Sequence, residues 1–263
     1  MWKLLERGSS PVDWCEENYN VSSMIAEFVN TFSNILFVAI PATEMRLLRS
    51  CGNKQKLGFF GIWISIMFIG LSSAYFHATL SLLGQFLDEL GILWLYCAAF
   101  WIFYPKKMFP KILVGNRKRL GLFCLAVAVF GTGLSIVNPI WNAFALMSLC
   151  IPSVIVLALK IAASGNPRVK RLGLVVWVVW SLALICWIND KVFCDVWRRI
   201  GFPYLHALWH AFMAVTCCFG CVLFSYFRMK EDFPDGKTVL MFWPNDEWVF
   251  GLPYAVLKEK DEE

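Results

Sequence analysis

Residues 57–77 read LGFFGIWISIMFIGLSSAYFH, twenty residues without a charge followed by a histidine. At about 1.5 Å per residue, a helix of that length crosses the roughly 30 Å hydrocarbon core of a bilayer. Six further apolar stretches accompany it, at about 28–48, 86–105, 120–137, 140–160, 172–189 and 203–227. The first of these is the most polar, with Glu27, Asn30, Ser33, Asn34 and Glu44 in or beside it. Composition agrees. Of 263 residues 59% are apolar and only 16% charged, more apolar surface than one soluble core of this size can hide. The chain is therefore expected to be an all-α membrane protein, a seven-transmembrane helix bundle over 28–227. A segment 1–27 would precede the bundle and a tail 228–263 would follow it. No basic n-region with a short apolar core and cleavage site precedes the first span, so no removable signal peptide is expected.

The lysines and arginines orient the bundle. With the N-terminus outside, nineteen of the 24 fall in inside segments, including Arg46 and Arg49, the group from Lys106 to Arg119, and Arg168, Lys170 and Arg171. Five fall outside: Lys3, Arg7, Lys191, Arg198 and Arg199. That asymmetry sets the N-terminus lumenal or extracellular and the C-terminus cytosolic. The net charge of +5 is a topology signal and calls for no nucleic-acid partner.

With this topology the polar exceptions gather on one leaflet. The chain has three histidines. His77 closes the second span, with Ser73 one turn deeper on the same face, while His206 and His210 open the seventh, one turn apart. Asp88 and Glu89 lie near the outer end of the third span, and Asp13, Glu16, Glu17 and Glu27 lie on the same side. Ionisable groups in a membrane segment are costly and mark functional sites. Three imidazoles with an open fourth position are what a catalytic zinc ion needs. Each piece also has a plainer reading: Ser73 as a small packing residue beside Gly70 and Ser72, Asp88 or Glu89 as a helix N-terminal acid. Spacing alone does not choose between those two acids. Asn20–Val21–Ser22 forms an N-glycosylation sequon on the outer side.

Most of the ten cysteines lie in apolar helices, where a thiol behaves as a small hydrophobe; Cys51 falls in an inside loop. Cys15 and Cys194 sit in outside segments, where a disulfide is permitted, with Cys186 as a competitor. A Cys15–Cys194 bridge would hold the acidic N-terminal segment over the histidines.

Five strings then carry a resemblance. They are Asp13–Trp14–Cys15–Glu16–Glu17–Asn18–Tyr19; Ala26–Glu27–Phe28–Val29–Asn30–Thr31–Phe32–Ser33–Asn34; Tyr75–Phe76–His77–Ala78–Thr79–Leu80–Ser81 with Gly84–Gln85–Phe86–Leu87–Asp88–Glu89–Leu90; Trp187–Ile188–Asn189–Asp190 with Phe193–Cys194; and Tyr204–Leu205–His206–Ala207–Leu208–Trp209–His210. With the tail motifs Phe242–Trp243–Pro244–Asn245 and Gly251–Leu252–Pro253–Tyr254, the sequence resembles the alkaline ceramidase family co-linearly from about residue 10 onward. The resemblance implies a seven-helix hydrolase that cleaves ceramide to sphingosine and a fatty acid. It implies zinc ligands at His77, His206 and His210, a catalytic aspartate at Asp88 and a serine at Ser73. It implies a calcium site of Asp13, Trp14 (through its carbonyl), Glu16, Asn18 and Glu27, and half-cystines at Cys15 and Cys194. Oxygen ligands suit a hard cation such as Ca2+. Residence in the endoplasmic reticulum or Golgi is implied by the resemblance alone, and no obligatory protein partner is inferred.

In that chemistry zinc acidifies a water, Asp88 takes its proton and returns it to the leaving amine, and Ser73 donates to the developing oxyanion. A nucleophilic Ser73 is the weaker role, since no histidine remains to act as its base. Two alternatives stand beside it. One is an adiponectin-receptor-like seven-helix lipid receptor with weak or ligand-gated hydrolysis, a group usually read with the opposite orientation. The other is a transporter, which would show internal repeats or helices broken at matching positions; none are found.

Overall fold

In the computed structural model the described residues are 2–49, 56–109, 115–138, 140–234, 236–248 and 250–258. Cys51, Lys54 and Lys111 of the predicted inside loops, and the terminal residues 259–263, lie outside them. The chain is built on helices α1 (Trp2–Leu5), α2 (Phe28–Ser33), α3 (Leu36–Arg49), α4 (Lys56–Thr79), α5 (Leu82–Phe103), α6 (Arg117–Val137), α7 (Ile140–Ala162), α8 (Pro167–Val192), α9 (Cys194–Arg199) and α10 (Leu205–Asp232). A short 3-10 turn covers Lys106–Met108, and two strands, β1 (Lys237–Trp243) and β2 (Leu252–Lys258), close the order.

Among the described residues six helices are long and apolar enough to cross a membrane: Phe59–Thr79, Leu82–Phe103, Arg117–Val137, Phe144–Ala162, Pro167–Val192 and Leu205–Asp232. They coincide with the second to seventh expected spans. The expected first span differs, because it is two pieces. Between α2 and α3 the backbone tightens, with Ile35 N–H donating to the Phe32 carbonyl at 3.1 Å and Phe37 N–H to that of Asn34 at 3.0 Å. Pro41, which has no N–H to give, then sits inside α3. Neither piece alone is long enough to span.

The chain divides into two compact units, and the division falls inside the long helices. The first comprises Met1–Ala42, Ile64–Gly91 and Leu174–Cys218. Its helices approach closely where side chains are small. A Cβ at Gly70 of α4 would lie 2.5 Å from the Phe37 Cβ of α3. The turn from α4 to α5 passes through Leu80, which is buried at φ +47°. The N-terminal segment then completes the end of α4. The last carbonyls of a helix have no partner within it. Here those of His77, Ala78, Thr79 and Leu80 accept N–H bonds from Glu27 (3.0 Å), Ala26 (3.1 Å), Gly8 (3.0 Å) and Ser10 (2.9 Å). Ala26, Phe76 and Leu80 bury together, with Val12 and Trp14 packed on them.

The second unit comprises Thr43–Trp63, Ile92–Gly173 and Phe219–Glu263. Asn116 caps α6, its side chain accepting from Lys118 N–H at 2.9 Å and Arg119 N–H at 3.3 Å. Phe123, Phe130 and Val137, spaced by seven along α6, are exposed, an apolar face of the kind lipid covers. Within the tail, β1 and β2 form an antiparallel hairpin with Met241 opposite Tyr254. Leu240, Phe242 and Ala255 face inward, a period-two pattern too short to stand out in the sequence. Arg168 of α8 pins the hairpin, donating to the Leu240 carbonyl (3.1 Å) and to Asp246 (2.7 Å).

Candidate metal centre

Everything polar at the expected site lies in the first unit. His77 comes from the last turns of α4, and His206 and His210 come from the first turns of α10. All three are at most 2% exposed. Their ring centroids are 4.5–5.0 Å apart, and one ligand atom from each falls within 4.8 Å of the others. His77 Nε2, His206 Nδ1 and His210 Nε2 have no hydrogen-bond partner. Three buried ring nitrogens without partners, on three rings this close together, are a configuration that a protein interior avoids unless something binds there.

The opposite ring nitrogens show how two of these imidazoles are set. His77 Nδ1 pairs with the Glu27 side chain; with that carboxyl ionised, as beside a bound cation, the hydrogen sits on Nδ1 and the lone pair on Nε2. His210 Nδ1 lies 2.8 Å from Ser33 Oγ. The single hydroxyl hydrogen of Ser33 already goes to the Asn30 carbonyl at 2.9 Å, so Ser33 accepts from His210 Nδ1–H, and Nε2 is again left bare. Both histidines present a lone pair, as metal-ligating histidines do when an outer partner fixes the tautomer. His206 is held by stacking. Trp14 lies on its ring at 3.6 Å between centroids, and Trp209 stacks on it at 4.9 Å.

Ser73, one turn before His77, is buried and hydrogen-bonds Asp88. The neighbouring Glu89 instead accepts from the Gln85 amide at 2.9 Å, which separates the two acids that spacing leaves equivalent.

The expected calcium ligands also draw together. Glu16 is buried and accepts from Val29 N–H (2.6 Å) and Asn30 N–H (2.8 Å), closing the start of α2 from a distance. Glu27 accepts from Trp14 N–H at 3.0 Å and the Asn30 amide at 3.1 Å, and the Asn18 amide donates to Asp13 at 3.2 Å. Burial pushes the Glu27 carboxyl up to about 8, opposed by those donors and reinforced by Asp13. Glu16 is raised for the same first reason, with repulsion from Glu27 adding to it. Uncompensated carboxylates crowding one another are what a bound cation relieves.

Cys15 and Cys194 stand with Cα atoms 5.3 Å apart and their sulfurs in contact, and Cys186 is free. The sequence reading missed Glu27 as the partner of His77, Ser33 as the partner of His210, and Asp190, which is buried beneath Cys15 and His206. For Glu27 and Ser33 the available signal was the cluster of polar residues in or beside the first span, and for Asp190 its place in the string Trp187–Ile188–Asn189–Asp190.

Fold and site together define a polytopic helical membrane protein with a buried three-histidine centre able to hold a metal ion. Comparison with known proteins narrows the class. Residues 6–256 match the family model described as Ceramidase, and the chain belongs to that family. It is similar to the alkaline ceramidase of Drosophila melanogaster, at 46% identity over 98% of this chain and 91% of that one. It is also similar to alkaline ceramidase 1 of Mus musculus (39%, covering 97% and 93%) and of Homo sapiens (37%, covering 97% of each).

Proposed function

We propose that this chain is a zinc-dependent alkaline ceramidase that hydrolyses the amide of ceramide within the membrane, releasing sphingosine and a free fatty acid. The observation that carries the reading is the set of three buried ring nitrogens without partners, in a chain of the ceramidase family. Neutral imidazoles from His77, His206 and His210 with an open fourth position suit zinc. When bound, zinc supplies a Lewis acid for the amide carbonyl and a water acidified toward neutrality. Asp88 accepts the proton of the attacking water on its carboxylate. As the C–N bond breaks, Asp88 returns that proton to the sphingosine nitrogen while the acyl carbon keeps the oxygen. Ser73 holds Asp88 until substrate arrives, then turns its hydroxyl to the developing oxyanion. The alkyl chains of ceramide remain among apolar helix faces.

Asp13, the Trp14 carbonyl, Glu16, Asn18 and Glu27 form the calcium site in this reading, and Cys15–Cys194 is its disulfide. Glu27 belongs to the calcium set and also touches His77, so one carboxylate serves both metals. Segment 1–27 lies outside the membrane on the lumenal face. The bundle 28–227 has seven spans, the first being the broken pair α2 and α3, and the tail 228–263 is cytosolic, as the basic-residue asymmetry supports. The compartment is the endoplasmic reticulum or Golgi. The receptor-like alternative is not favoured, since the relatives over nearly the full chain are named ceramidases.

The test is sphingosine release from ceramide by purified full-length protein, before and after a zinc chelator, then with zinc restored. Activity should vanish and return. Hydrolysis indifferent to chelation would overturn the metal reading, and a metal-loaded protein without hydrolysis would overturn the substrate.

A further inference from the structure

We propose that Asp190, on α8, is a positioning residue that couples the N-terminal segment to the metal ligand His206. The inference rests on the ceramidase reading of the three-histidine centre. Asp190 is 2% exposed, and its two oxygens are divided between two distant parts of the chain. Oδ2 accepts the backbone N–H of Cys15 at 3.1 Å, and Oδ1 accepts that of His206 at 3.1 Å.

The second bond explains how α10 begins where it does. The first N–H groups of a helix have no internal acceptor, and the residues before α10, Phe202, Pro203 and Tyr204, offer no short polar side chain to cap it. Asp190 supplies the acceptor from another helix. A carboxylate there also meets the positive end of the helix dipole. Because it binds the backbone of His206 itself, it fixes the Cα from which the imidazole projects.

The first bond ties that anchor to the N-terminal segment. Cys15 is paired with Cys194 four residues beyond Asp190, its carbonyl accepts from Arg198 Nε at 2.9 Å, and its neighbour Trp14 stacks on the His206 ring. His206 is therefore held at its backbone by Asp190 and at its ring by Trp14, and both holds meet at residues 14 and 15. Movement of this segment would reach His206 by two routes at once. Glu27 gives His77 its own link to the segment, which leaves Asp190 as the polar link for His206.

Asn at this position keeps the size but only one oxygen acceptor, so one buried N–H loses its partner. Glu keeps both oxygens and the charge but sets them one methylene further out. In full-length protein loaded with Co2+ in place of zinc, Asp190→Asn and Asp190→Glu should shift the visible absorption of the metal. Zinc-loaded, both should lower kcat on the order of 10-fold to 100-fold, with KM within about twofold. The Asn variant should lose more than the Glu variant. Wild-type spectra and kcat in both folded variants would overturn the proposal. So would failure of both to accumulate as folded protein, which would assign Asp190 a purely structural role. A wild-type protein that binds neither metal, or hydrolyses no ceramide, would instead mark failure of the reading on which the proposal rests.

Discussion

Glu27 holds a position that makes two demands on one carboxylate. It touches Nδ1 of His77 and accepts from Trp14 and Asn30 in the N-terminal acidic cluster. Outer carboxylates of this kind typically contribute 10–100-fold in metal affinity. Glu27→Ala should therefore abolish the response of melting temperature to calcium and also loosen zinc by about that factor, read by competition with a chromophoric chelator. A variant that loses the calcium response but holds zinc as tightly as the parent would separate the two roles. The histidines admit a sharper contrast. His77→Ala, His206→Ala and His210→Ala should each lose bound zinc and turnover together. Asp88→Asn should keep its zinc and lose roughly 10²–10⁴-fold in kcat, measured by metal analysis beside the assay. At this scale the sequence named the three imidazoles because only three histidines exist. It could not name Ser33 or Glu27 as their partners, since nothing in linear spacing brings residue 27 to 77 or 33 to 210.

Helices α3 and α4 meet where Gly70 faces Phe37. Gly70→Ala would drive its methyl into the Phe37 Cβ, and overpacking of this kind costs about 1–3 kcal/mol. A lowered melting temperature in detergent should show it, while Gly61→Ala, with open space around its Cβ, should leave the value unchanged. Cys15 and Cys194 make a second test between elements. Closing so long a loop contributes about 2–4 kcal/mol. The single Cys→Ala variants should match each other and the double variant in thermal stability, whereas additive losses would show that the two are not partners. The six long spans were readable because uncharged runs of that length have one stable form in lipid. The break between α2 and α3 was not, because the polar residues there read as a weak span when they are Glu27, Asn30 and Ser33 turned toward the site. The hairpin was missed for a different reason: its strands carry seven residues each, too few for period two to outweigh an all-helical context.

Over the whole molecule, the proposed topology sets the two termini on opposite sides. Tags at residue 1 and at the C-terminus should differ in antibody access after the plasma membrane alone is permeabilised, with only the C-terminal tag reached. Equal access would refute an odd number of spans and with it the role of α2 and α3 as a crossing. Legibility at this scale was uneven. The basic-residue asymmetry supports an orientation, yet it says nothing of how the N-terminal segment folds back. That segment closes the end of α4 through backbone N–H groups of Gly8, Ser10, Ala26 and Glu27, and main-chain pairing leaves no side-chain pattern to read.

The bridge between Cys15 and Cys194 spans 179 residues, and distance along a chain is also delay. At about 5–20 residues per second, Cys15 leaves the ribosome roughly 9–36 s before its partner. Throughout that interval its thiol waits for a helix not yet made. Asp190 emerges only just ahead of Cys194, so the two fastenings of residue 15 become available almost together, and His206 and His210 follow 12 and 16 residues after Cys194. The three-histidine group is therefore complete only when the last helix of the bundle has begun. Expression of this enzyme should depend on thiol-exchange capacity and calcium supply during synthesis more than afterward, which pulse-labelling with thiol trapping can resolve.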